Sequence, residues 1–157
     1  MNPNEQLLAE VVAETLEQFT FLFVEPEGDE PDSEGMQACI EATIGFQGGG
    51  RRGTLRIAAP EVLCREMAGN ILGLDETAVT EDVAMDAIKE LANVLMGSVT
   101  ARRLGVEVSC TLSPPTARLL DAYQMNALAA CPGALCFRVD EHRIIAVLEE
   151  EPVGGAE

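Results

Sequence analysis

The segment from about Glu81 to Leu104 predicts the longest helix of the chain, with two unlike faces. Thr80 suits its cap, Glu81 and Asp82 fall in the first turn, Arg102 and Arg103 in the last, and Gly105 stops it. That order of charges complements the helix dipole. Met85, Ile88, Ala92, Leu95 and Val99 recur at helical spacing and must face a core. Asp86, Glu90, Asn93 and Gly97 form the opposite stripe, their directions falling within roughly 60° of one another at ~100° per residue. A core-facing helix with one polar stripe turned outward is therefore required. Val94 and Met96 flank that stripe, and Gly97 leaves a flat place beside it.

The flanking text supplies the layers such a helix would pack on. Residues 2–23 predict an amphipathic helix, with Asn2 as cap, Pro3 at the first position and Glu5 at the capping-box position. Its stripe is Leu8, Val11, Val12, Thr15, Leu16, Phe19, Leu22 and Phe23. Met36–Phe46 and Gly53–Ala58 alternate as two strands of a hairpin. Between them Gly48 to Gly53 spells GxGxxG. A dinucleotide loop needs a helix after that motif; here a strand follows, so the glycines predict a turn. Arg51 and Arg52 then belong to a solvated turn.

Pro60–Leu72 predicts a helix closed by Gly73, with Leu63, Met67 and Ile71 on one face. Val106–Leu112 is rich in strand formers, Ser113-Pro114-Pro115 breaks it, and 116–130 holds room for a short helix. Ala134–Val139 and Arg143–Leu148 predict a second hairpin around Asp140-Glu141-His142. The expected fold class is α+β, with helices packed on a largely antiparallel β-sheet.

Length and charge bound the function. A chain of 157 residues suits one domain spanning 1–157. Its 47% hydrophobic content is too high for a disordered acidic chain, yet only 4% is aromatic, so aliphatic residues and Met must build the core. A net charge of −17 excludes binding nucleic acid or an anionic membrane through cations. Six of the acids crowd into 25–35, predicting a solvated loop, and four into 149–157, predicting a frayed tail. Without them, 17 acids remain against 10 basic residues.

No apolar run approaches the ~18 residues of a membrane span, and MNPNEQ lacks the basic start of a secretory signal. The five cysteines, Cys39, Cys64, Cys110, Cys131 and Cys136, are scattered and form no CxxC pair. They predict buried reduced thiols in a cytoplasmic protein, and with a lone His142 they predict no metal site.

Chemistry concentrates on the polar stripe. Glu90 and Asn93, three apart, can act on one target. A carboxylate receives a Lys ammonium, while a carboxamide both donates to and accepts from a water. That combination suits phosphoryl transfer, where positioning and electrostatics supply most of the catalysis. ExxN alone is a common pattern, equally at home on a solvated helix face.

The surrounding text is more specific. Gly53-Thr-Leu-Arg-Ile, Leu63–Met67, Asn70-Ile-Leu-Gly73 and Asp86-Ala-Ile-Lys-Glu-Leu-Ala-Asn93-Val-Leu-Met-Gly97 together resemble the CheX/CheC/FliY family of chemotaxis phosphatases across roughly residues 36–150. Asp86, Glu90 and Asn93 match the family's signature, and Pro114 or Pro115 falls about where its proline belongs. The resemblance implies a CheC/CheX-like fold that dephosphorylates the aspartyl phosphate of a CheY-like response regulator. It implies that Glu90 contacts the receiver's Lys and that Asn93 aligns the attacking water. Asp86, Val94, Met96 and Gly97 would meet the partner. No cofactor of the chain's own is implied, because the phosphorylated receiver brings its Mg²⁺. The first helix carries no second ExxN, since Glu10, Glu14 and Glu17 are followed by Ala13, Glu17 and Thr20. One motif per chain points to the CheX type and, by analogy, to a homodimer. The competing reading is a non-catalytic adaptor that binds a receiver domain, or a flagellar or signalling partner, through the same helix.

Overall fold

The computed structural model describes residues 2–20, 24–26 and 38–153. Leu22, Phe23, Met36 and most of the acidic segment expected at 25–35 lie outside the described residues. Helix α1 spans Pro3–Thr20, and strand β1 spans Val24–Pro26. Strands β2 (Cys39–Gly48) and β3 (Arg51–Pro60) form a long hairpin. Then follow α2 (Glu61–Leu72), a short 3₁₀ turn (Glu76–Ala78) and α3 (Glu81–Leu104). The chain closes with β4 (Cys110–Leu112), β5 (Thr116–Leu120), α4 (Ala122–Ala129), β6 (Leu135–Val139) and β7 (His142–Pro152). The sheet runs β1-β6-β7-β3-β2-β4, β5 also pairing β2, and each described pairing is antiparallel. The α+β fold expected from the hairpin and helix signals is the fold observed.

Local chemistry explains the elements. Asn2 and Glu5 exchange cap bonds, Glu5 N–H donating to Asn2 Oδ1 at 2.8 Å and Asn2 N–H to Glu5 Oε2 at 3.3 Å. Leu8, Val11, Val12, Thr15 and Leu16 of α1 are buried. Between β2 and β3 only Gly49 and Gly50 form the turn, at φ +61° and +75°. Two successive positive φ values mark the primed hairpin turn that matches strand twist. Arg51 and Arg52 are therefore strand residues rather than turn residues. In α2 Leu63 and Met67 are buried, but Ile71 is 43% exposed. Eight residues separate Leu63 from Ile71, a rotation about 80° off the face, and Cys64 and Ala68 complete that face instead.

Edge strand and tail depart from expectation for one reason, the availability of a partner. Residues 106–109 form no strand, because β2 ends at Gly48, opposite Cys110. From there β4 and β5 run along the same edge of β2, in line. Ile44 and Gly45 face three residues, Ser113 to Pro115, so the break is a one-residue bulge. Prolines that cannot donate are tolerated there. Ser113 N–H donates to Gly45 O at 2.9 Å, and Gly45 N–H to Ser113 Oγ at 2.7 Å. Conversely, of the expected tail, residues 154–157 lie outside the described residues, and Glu149–Pro152 is not frayed. It extends β7 along β3, and its acids meet arginines: Glu149 with Arg56 at 3.1 Å, Glu151 with Arg52 at 2.7 Å, and Glu150 with Arg51 and Arg103.

Two cores lie on opposite faces of the sheet. The larger joins α1, α2 and α3 to Ile40, Ala42, Ile44, Leu55, Ile57, Ile144 and Ala146. The smaller seats Met125 and Leu128 of α4 on Cys39, Ala58, Ile145 and Val147. Asp121 caps α4 through a reciprocal box with Gln124. Beside α4 a charged row crosses four neighbouring strands. Glu149, Arg56, Glu41 and Arg118 alternate in sign, with Arg56 Nη1 4.0 Å and Arg118 Nε 2.9 Å from the buried Glu41 carboxylate.

Candidate functional site

Helix α3 takes the boundaries its sequence predicts. Thr80 Oγ1 accepts from Val83 N–H at 3.3 Å, and Gly105, at φ +91°, closes the last turn by donating to Ala101 O. Its apolar side is fully engaged: Ala84, Ile88, Leu91, Ala92 and Leu95 are sealed from solvent, and α3 packs against β2, α1, α2 and β5. With one side committed, the helix cannot rotate, and the polar stripe is held outward.

Asp86, Glu90 and Asn93 are all exposed. Glu90 and Asn93 have no internal hydrogen bond or ion pair among the described residues, so both side chains are open to an external target. Asp86 differs, its Oδ1 lying 3.3 Å from Lys89 Nζ. A methyl group added at Gly97 would meet nothing within 4 Å, so the helix surface beyond Asn93 is flat and open. The stripe therefore presents a carboxylate, an amide and a clear landing area in one row.

The two apolar flanks behave differently. Val94 is 36% exposed and borders the stripe, whereas Met96 is wholly buried in the main core. The expectation that Met96 meets a partner is corrected: its direction, about 60° from Asn93, points into the packed side of the helix. It supports the site from beneath. Pro114 and Pro115 sit in the β4–β5 bulge, on the edge strand that packs along α3.

Sequence reasoning passed over Lys89. It is the only lysine of the chain and occupies i+3 from Asp86 and i−4 from Asn93. That spacing was a readable signal, because such positions are neighbours on a helix surface.

Elsewhere the described residues hold no group of three or more His, Cys, Asp or Glu able to bind a metal ion. All five cysteines are free thiols, but only Cys39 and Cys64 are buried, while Cys110, Cys131 and Cys136 are half-buried. Burial pushes the Cys64 thiol far above its ordinary range, which leaves it inert. No helix among the described residues is long and apolar enough to cross a membrane.

Comparison with known proteins decides the family. The model described as "Chemotaxis phosphatase CheX" matches residues 40–137, which include α3 and the whole stripe. The chain belongs to the CheX family. No curated protein matches it in sequence. Solved CheX structures share its fold at low identity. CheX of Vibrio vulnificus is 17% identical, with 94% of this chain and 97% of that one covered at a TM-score of 0.64. CheX of Desulfovibrio desulfuricans is 11% identical, with coverages of 96% and 100% and a TM-score of 0.68. A CheX-CheY-BeF3-Mg²⁺ complex of Borrelia burgdorferi contains a chain 13% identical, with coverages of 93% and 96% and a TM-score of 0.62. Membership places α3, with its outward Glu90 and Asn93, inside the matched region of a CheX fold.

Proposed function

We propose that this CheX-family protein hydrolyses the aspartyl phosphate of a CheY-like receiver domain. The observation that carries the reading is the outward, unpartnered pair Glu90 and Asn93 on a helix locked in place by its other face. Glu90 accepts from the ammonium of the receiver's Lys and sets the register of docking. Asn93 enters the receiver's site, its carboxamide orienting a water in line with the phosphorus. The water oxygen bonds to phosphorus as the bond to the aspartyl oxygen breaks. The products are dihydrogen phosphate, which keeps both water protons, and the free carboxylate.

Asp86, Val94 and Gly97 surround the pair as docking surface. Mg²⁺ belongs to the receiver. The complex from Borrelia burgdorferi supports the pairing, since BeF3 is a tetrahedral stand-in for a phosphoryl group. The family likeness also leads us to infer a homodimer, checked by light scattering, and a cytoplasmic location, where receiver domains work.

The test is the lifetime of phosphorylated receiver domains from the same genome, with and without this protein. Mg²⁺-dependent shortening is expected, lost by about 10²-fold or more in Asn93→Ala and strongly reduced in Glu90→Ala. Binding without shortening would establish the adaptor instead. Full activity in both variants would overturn the site.

A further inference from the structure

Asp86, Lys89, Glu90 and Asn93 stand at i, i+3, i+4 and i+7 of α3, four corners of one surface patch. Lys89 is its only cation. The other exposed charged groups along this part of the helix, Glu81, Asp82, Asp86 and Glu90, are acidic. The next basic residues on α3 are engaged elsewhere, Arg102 with Glu14 at 2.6 Å and Arg103 with Glu150. A patch so acidic would repel a phosphorylated partner unless something offset it, and opposite charge is what gives an interface its selectivity.

Lys89 is only loosely tied in the free protein. Its partner Asp86 is 72% exposed at the side chain, Lys89 itself is 35% exposed, and their contact is a single 3.3 Å ion pair. A solvent-facing pair of that kind is weak and exchanges readily. A lysine stem is also long and flexible enough to swing an ammonium by a few ångström toward a neighbouring target.

We propose that Lys89 is a specificity-determining contact for the phosphorylated form of the receiver. On docking, its ammonium leaves Asp86 and pairs with a phosphoryl oxygen at the group that Asn93 addresses. Asp86 holds the Lys89 ammonium in the free protein and competes with the phosphoryl group for it. This inference rests on the phosphatase reading above.

The experiment compares binding of one receiver domain, bare or loaded with BeF3 and Mg²⁺, to the wild type, Lys89→Gln, Lys89→Arg and Asp86→Asn. Lys89→Gln should weaken binding of the loaded receiver about tenfold and leave the bare receiver unaffected. Lys89→Arg should retain the preference, and Asp86→Asn should strengthen binding of the loaded form a few-fold. In hydrolysis, the Lys89→Gln loss should fall mainly on KM, which a merely structural role would not produce. Equal weakening for both forms, or no change in either, overturns the proposal while leaving the phosphatase reading intact. If the wild type neither binds nor dephosphorylates any receiver, the phosphatase reading itself has failed and Lys89's role falls with it.

Discussion

Glu41 Oε1 and Arg118 Nε lie 2.9 Å apart across the β2–β5 pair, and their surroundings are opposite: the carboxylate is 3% exposed and the guanidinium side chain 60%. The burden of desolvation falls on Glu41 alone. A second cation, Arg56, is 4.0 Å away, so the buried charge is stabilised chiefly from the solvent side.

Arg118→Ala is therefore expected to destabilise the fold by about 1–3 kcal/mol, because it leaves a buried carboxylate with one distant partner. Arg52→Ala should cost less than about 1 kcal/mol, since Arg52 and Glu151 are both exposed and their pair is screened. Urea denaturation of the two variants checks the contrast, and equal losses would show that burial of Glu41 is not what makes the pair matter.

Met96→Ala should lower stability by about 2–5 kcal/mol, as emptying a core position does. Val94→Ala, on the other flank of the stripe, should stay within about 0.5 kcal/mol. Thermal unfolding of both reads the difference directly. Comparable small effects would return Met96 to the surface.

Gly97→Ala should stabilise α3 by about 0.5–1 kcal/mol, because a helical glycine costs about that much relative to alanine and the added methyl meets no atom within 4 Å. Gly97→Tyr should keep the fold, measured by circular dichroism, yet slow receiver dephosphorylation by about tenfold or more by displacing the docked partner. Undiminished activity in Gly97→Tyr would place the docking surface elsewhere on the molecule.

Elements with local signals were legible. Asn2 with Glu5, Thr80 with Val83, and the two glycines at 49–50 carry their geometry in short-range chemistry, so α1, α3 and the β2–β3 hairpin follow from the text. The candidate pair was legible for the same reason: Glu90 and Asn93 belong to one helical stripe whose opposite face is apolar. Elements that depend on a distant partner were not. Val106 to Ser109 has strand composition and no strand to pair with, while Glu149 to Glu151 has poor strand composition and four arginines, three on β3 and one on α3, to receive it.

By itself the sequence determined that α3 would be a helix, that one face of it would be buried, and that Asp86, Glu90, Asn93 and Gly97 would share the other. Helical periodicity suffices for that, being a property of consecutive residues. Only the tertiary structure decided how far around the helix burial extends. It sealed Met96 at 0% exposure and left Val94 at 36%, although both border the same stripe. The width of a buried face is set by what packs against each side of the helix, and those neighbours come from elements far away in the chain.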